Sequence, residues 1–471
     1  MNPITKQERT ELAWQNIKDR APGELYLALR NFASGFDGTL ICEWLANLWD
    51  PVSGGFYYSN SARDNDGFLP DIESTNQTLA FLLCNKASAD LNKLLPNEIK
   101  KRIVDFAINL QCESDGYFYH PQWPQGRENL RADRYGRDLG SAGAILERFT
   151  VDRDGDGVEE KQFPKVCTPS GIKCKKHYGT DEVCDCLKSE PKKSNLPTVT
   201  LEGLWAIKPD FSTPETFLEW LKLINKDIKT NPAISAHIVN SQCAEIFNRC
   251  YIDVVLDYLE GVQEEVYREQ IENGETPSGF WAYKPGLSLA MSMHKYFEFF
   301  NHPKYGRPLK YYKEAAATAI ENLLIDTQGK SGLNDLMNQW ISFGHIIRNA
   351  QRFCPEYVET IYEMARARGP ELVASAVHNL DYHRLDNGLF AYYCGKSLSS
   401  IYGTPISMGE PEGDVNGHLL MGHYYNSVFC AFGYPSVSLC DESDAEMFRD
   451  ILIEKLEKPN KNSGSIPLEV K

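Results

Sequence analysis

The sequence predicts an all-α fold, an (α/α)6 toroid, and three observations point there. Apolar residues recur at helical spacing through most of the 471-residue chain. Segments that are apolar all round alternate with two-faced ones, as buried helices alternate with the helices that cover them. One grammar also returns along the chain: a Gly-aromatic loop, then an acidic or small polar residue that opens an apolar helix.

In chain order, residues 1–36 read as a polar helical lead-in and 37–457 as the toroid domain. Leu40, Ile41, Trp44, Leu45 and Leu48 make a helical stripe over Thr39–Trp49, followed by the loop Gly54-Gly55-Phe56-Tyr57-Tyr58. Asp71 then opens an apolar helix to Cys84, and a two-faced helix covers 96–111. The loop returns at Asp115–Trp123, with its helix expected to start near Asp138 and end near Phe149. A polar insertion, 151–200, interrupts the repeat.

Helices are then predicted over 214–227, 236–248, 250–264, 310–326, 334–350 and 356–378, with another opening near 286. Pro277–Tyr283 and Asp386–Tyr393 repeat the aromatic loop. The last apolar helix runs from Asp414 to about Ala431, a short one covers 443–456, and 458–471 is a polar tail. Six inner helices are thus expected to start near 71, 138, 237, 286, 334 and 414.

A formal net charge of −16 argues against binding a nucleic-acid backbone, which needs a basic face. No apolar run is long enough for a membrane span. The N-terminal residues lack the apolar core of a signal peptide, and thirteen cysteines cannot all pair internally. A reduced cytoplasm is the expected compartment. With 24 Tyr, 22 Phe and 8 Trp, the chain can fill a large core or line a cleft that stacks on sugar rings.

Gly54-Gly55-Phe56, Asp115-Gly116-Tyr117, Ser278-Gly279-Phe280 and Asn387-Gly388-Leu389-Phe390 resemble the turns before the inner helices of the terpenoid-cyclase and protein-prenyltransferase superfamily. That resemblance covers most of 37–456 and implies a toroid, an architecture shared with many polysaccharide lyases and glycosidases. It also implies that the inner helices aim their N-termini at one mouth, gathering Asp71, Glu73, Asp138, Asp414 and His418. Cyclases that begin by protonation carry Asp-Xaa-Asp-Asp there; this chain has Asp71-Ile-Glu73-Ser74 and Asp414-Val-Asn416-Gly417. The repeated Gln-to-Trp signature of cyclases and the Asp-Xaa-Cys of prenyltransferase zinc sites are missing.

The expected function is therefore a glycoside hydrolase or polysaccharide lyase acting on an oligosaccharide. An isoprenoid enzyme is the second reading, and a non-catalytic glycan- or protein-binding toroid the third. Asp71, Asp138 and Asp414 serve equally well as helix caps, worth about 1 kcal/mol each. Glu73 would sit in a first helical turn, where the dipole keeps it ionised. His418 lies one turn after Asp414, where a carboxylate would raise its basicity, although a lone core histidine is as good a reading. Tyr135 and Arg137, with Glu412 and Asn416, add groups that could bind substrate. Tyr58, Tyr119, His120, Trp123 and Trp281 could form sugar platforms, or simply pack between loops.

Two metal expectations fall in the insertion. Asp152, Asp154, Asp156 and Glu160 match the first half of a calcium loop, but Phe163 stands where the closing Glu belongs. Cys167, Cys174, His177, Cys184 and Cys186 crowd a polar loop and make a structural zinc the second expectation. The bland alternatives are a solvated acidic turn and free thiols.

Overall fold

A computed structural model describes residues 6–123, 130–187, 203–401 and 403–458. The described chain is mostly helical, and its named strands form two antiparallel two-residue ribbons, Thr150–Val151 with Glu160–Lys161 and Ser400–Ile401 with Thr404–Pro405. Short bridges also close the aromatic loops, Trp49 to Phe56 and Gln111 to Phe118. The chain divides into two compact units, each built from separate stretches.

The first unit comprises 1–36, 202–384 and 420–438. Its centre is the helix Leu287–Phe300, which packs on Ala233–Ser241 and Leu333–Phe353. Met293, Tyr296, Phe297, Phe299 and Phe300 are all buried, so this helix has no wet face broad enough to stay outside. The helix Ile252–Glu272 is two-faced by contrast, burying Val255, Leu256, Leu259 and Val266. The lead-in forms two helices, Lys6–Arg20 and Gly23–Ala33, the second packing on Gly369–Asp381. Gly279 shows why the aromatic loops need glycine: its φ is +75°, and a Cβ would lie 2.5 Å from the backbone nitrogen of Ala315.

The second unit comprises 37–201, 385–419 and 439–471. Gly38–Asn47 packs on Glu442–Glu457, with Thr39 donating to Asp444 at 2.6 Å. Ile72–Cys84 and Asn97–Asn109 both pack on Ala132–Arg148. Asp71 caps its helix by accepting from the Ser74 amide, as expected of Asp at that position.

Four helical segments differ from expectation, the first being Ile252–Glu272, which runs on past the expected end at 264. The helix expected near Asp138 begins at Ala132, so Asp138 lies in its second turn and is no cap. The segment 236–248 divides at Gln242 into Ala233–Ser241 and Cys243–Asn248. The helix expected over 356–378 breaks into Val358–Arg366 and Gly369–Asp381, because Pro370 starts a new helix better than it continues one. Beyond Lys458, the expected tail lies outside the described residues, as does the insertion after Leu187.

Candidate functional site

The sequence-selected carboxylates meet in the second unit, at the start of Ile72–Cys84. Asp71 spends its carboxylate on Ser74, taking the amide at 2.9 Å and the hydroxyl at 2.5 Å. Glu73, in the first turn, points to Ala132–Arg148 and pairs with two arginines. Arg134 Nη1 lies 2.8 Å from its Oε2 and Arg137 Nη2 2.6 Å from its Oε1. Arg134 also forks onto Asp138 one turn further along, through Nη2 and through Nε at 3.1 Å. One buried guanidinium thus joins the two carboxylates.

Among the described residues, Arg131 pairs with Asp133 at 2.8 Å in the same neighbourhood. Asp71, Glu73, Asp133 and Asp138 thus gather close to Arg131, Arg134 and Arg137. The environments separate the acids. Burial alone would raise Glu73, but Arg137 and Arg134 outweigh it and hold the carboxyl below its ordinary range. Burial wins at Asp138, which rises to about 7 despite Arg134, with the Glu73 and Asp71 charges adding to the shift. Arg134 stays charged.

Aromatic and amide groups surround this network. The Arg134 guanidinium lies over the Trp123 ring, 4.9 Å from its centroid. His120 Nε2 donates to the Pro70 carbonyl at 3.0 Å while Nδ1 accepts from the Gln122 amide, so the ring is neutral, with burial lowering its pKa to about 4. Tyr119 donates to Asp115 within its own loop, and Tyr135 is buried edge-on to Tyr117. Gln77 Nε2 bridges Glu73 Oε1 at 3.2 Å and Asn416 Oδ1 at 3.3 Å. Arg137 is the most open member of the ion-paired trio around Glu73, its side chain 27% exposed.

The second acidic start is closed instead. Asp414 accepts from Tyr58 Oη at 2.8 Å and from the amides of Gly417 and Tyr392 at 2.6 and 2.8 Å. His418 does not meet that carboxylate: its Nδ1 donates to the Asp414 carbonyl and its Nε2 accepts from the Phe390 amide. Both ring nitrogens are occupied and burial lowers the pKa to about 4, the arrangement of a satisfied core histidine. Glu412 is held by Ser59, Ser61 and Ser397, joining two loops.

The chain matches no protein-family model, no curated protein and no solved structure.

Trp281 lies in the first unit, in its core, donating to Ser292 and stacked on Phe300. That unit also holds a cavity of about 740 Å³ lined by Phe247, Phe297, Asn301, His345 and Arg348, which the sequence had not singled out. His294, Glu298 and His345 have metal-ligand spacing there. However, His345 Nδ1 accepts from Arg348 at 2.9 Å and Asn301 at 3.2 Å, so its proton sits on Nε2 and faces His294 Nδ1. A ring in that state offers its metal-facing nitrogen as a donor, not a ligand. The signal was thin: two histidines 51 residues apart on apolar helices.

The acids of the calcium-like loop point apart. Asp152 turns both oxygens onto the amides of Gly155 and Gly157, and Asp156 takes the Val158 amide. Glu160 is carried off in a strand toward Lys175. Among the described residues, the acids of this loop form no group converging on one ion. Cys167, Cys174, His177 and Cys184 do converge, with ligand atoms all within 4.8 Å of one another, and could hold a metal such as zinc.

Proposed function

We propose that this chain is a carbohydrate-active enzyme, a hydrolase or lyase of an oligosaccharide, built as an (α/α)6 toroid and working in the cytoplasm. Asp138 is its proton donor and Glu73 its ionised carboxylate. The observation that carries the reading is the division of two carboxyls across one guanidinium: Arg134 touches both, yet Glu73 is held below its ordinary range while Asp138 rises to about 7. Carboxyls with pKa values pushed apart are how a site provides an acid and a base at one pH. Asn416, Gln77 and Arg137 are the polar groups beside Glu73 that would orient a sugar, with Trp123 behind Arg134.

The test is a glycan panel read both for new reducing ends and for the ultraviolet absorbance of an unsaturated product. Turnover of an accepted glycan should fall by about 10²-fold or more in Glu73→Gln and in Asp138→Asn. In the wild type it should decline above about pH 7, as Asp138 loses its proton. Unchanged turnover in both variants overturns the assignment. Turnover of an isoprenoid diphosphate, with none of any glycan, replaces it with the isoprenoid reading.

A further inference from the structure

We infer that residues 167–186 are organised by a structural zinc ion held by Cys167, Cys174, His177 and Cys184, with Asp185 orienting the histidine. The argument begins with the turn at Thr168–Ile172, where the Thr168 amide donates to the Ile172 carbonyl and doubles the chain back. That turn brings the Cys167 and Cys174 sulfurs to 3.7 Å, and the Cys174 amide points at the Cys167 sulfur at 3.4 Å. A short 3-10 turn, Lys175–His177, then swings the imidazole back, setting Nδ1 3.2 Å from the Cys174 sulfur.

These separations are those of a metal shell. A tetrahedral zinc with bonds of about 2.3 Å to sulfur places two sulfurs about 3.8 Å apart. The Cys167–Cys174 separation matches that edge, and the four ligand atoms are mutually within 4.8 Å. Cys174 and His177 are buried, at 2% and 1% exposure, in a loop otherwise rich in lysine and acid.

The histidine is turned toward the thiols. Its Nε2 lies 3.2 Å from the Asp185 carboxylate, which fixes the proton on that nitrogen and leaves the Nδ1 lone pair facing the thiols. A carboxylate behind a ligating imidazole is the usual outer partner of a zinc histidine. Lys176 in turn neutralises Asp185, at 2.5 and 2.7 Å. Binding Zn²⁺ releases one proton from each of three thiols, and the imidazole joins without losing one. Cys186 stands alongside, 3.8 Å from the Cys174 sulfur and 3.7 Å from Nδ1, as a neighbour outside the four.

The site has a task within its unit. Gln111 bonds both ways to Val166, just before the first ligand, and donates to Gly116. Gly116 has φ +76°, and a Cβ there would meet the Cys167 carbonyl at 2.6 Å. The metal loop thus braces the loop that carries His120 and Trp123. This inference stands apart from the carbohydrate reading, and either can fail without the other.

The full chain, reduced and incubated with zinc, should retain stoichiometric metal through gel filtration, measured by elemental analysis. With Co²⁺ it should show sulfur-to-metal charge-transfer bands and the intense visible bands of a tetrahedral thiolate site. Cys174→Ser and His177→Ala should each lose the bound metal, while Cys186→Ser and the distant Cys84→Ser retain it; circular dichroism checks that each variant is folded. A wild type that keeps no zinc and gives no tetrahedral cobalt spectrum overturns the proposal. So does full retention by a folded Cys174→Ser. Loss in Cys186→Ser with retention in Cys184→Ser overturns the ligand set.

Discussion

Two helix starts in the second unit share one sequence grammar and end in different chemistry. Asp71-Ile-Glu73-Ser74 and Asp414-Val-Asn416-Gly417 both put their first Asp on the amide three residues on. At the first start the neighbouring helix brings Arg134 and Arg137, and Glu73 becomes half of a divided acid pair. At the second the neighbours bring Tyr58, the Tyr392 amide and a satisfied His418, so the Asp414 carboxylate is spent while Asn416 reaches across to Gln77. An acidic helix start is therefore a cap by default. Its function depends on the charge carried by the element that packs against it.

The strongest way to break that contrast is to remove the shared guanidinium. Arg134→Met leaves Glu73 and Asp138 buried without their common partner, and losing one side of a buried ion network costs about 3–5 kcal/mol. Urea denaturation should show that loss. His418→Gln at the closed start should cost only about 1 kcal/mol, the size of an ordinary hydrogen bond. Equal losses at the two starts would mean that Arg134 is no more central than any cap.

A smaller, pH-dependent effect separates the same two starts. Asp138 and Asp414 are raised by burial to about 7 and about 6, above an unfolded value near 4. The folded form then binds the more protons, so each contributes stability that is present below about pH 4 and lost as pH rises through the folded pKa. Between the two values each group changes stability by at most about 1.4 kcal/mol per pH unit. Asp414→Asn should flatten the decline between about pH 4 and 6, and Asp138→Asn should also flatten the part from 6 to 7. Glu73 works in the opposite sense: its pKa is depressed, so its share is present at neutral pH and lost as pH falls through that lowered value. Urea midpoints of the three chains across that range are the measurement. Parallel curves would show that neither carboxyl is raised.

How much of this was legible follows from what each signal depends on. Starts at Asp71 and Asp414 depend on local capping, those at Gly286 and Gly332 on apolar spacing, and the helices begin there within a residue or two of expectation. The start at Ala132 lies ahead of the expected one because Gly136 looks like a breaker and Gly140 like a weak point, at about 1 kcal/mol each against alanine. Burial of Tyr135 and Leu139 and the Arg134–Asp138 pair on adjacent turns offset them. Arg134 stands out in the sequence only as part of the base-rich run Arg134–Asp138: a buried arginine reads on paper as a surface charge until its two carboxylates are known. The cysteine crowd was visible as composition, but its mutual distances depend on two turns that spacing alone does not determine.

The finest distinction lies at His418. If the closed start is closed, its imidazole is neutral through the physiological range, with the proton on Nδ1 donated to the Asp414 carbonyl. Burial lowers its pKa to about 4, against about 6.5 when unfolded, so its contribution is present above 6.5 and lost as pH falls toward 4. Nitrogen-detected NMR of the histidine rings should show one that keeps a protonated Nδ1 and a bare Nε2 from pH 8 to about pH 5. Titration near 6.5, moving together with the Asp414 carboxyl, would mean that the pair exchanges a proton after all. The second start would then be a working acid–base dyad, and the contrast with Glu73 would be one of degree.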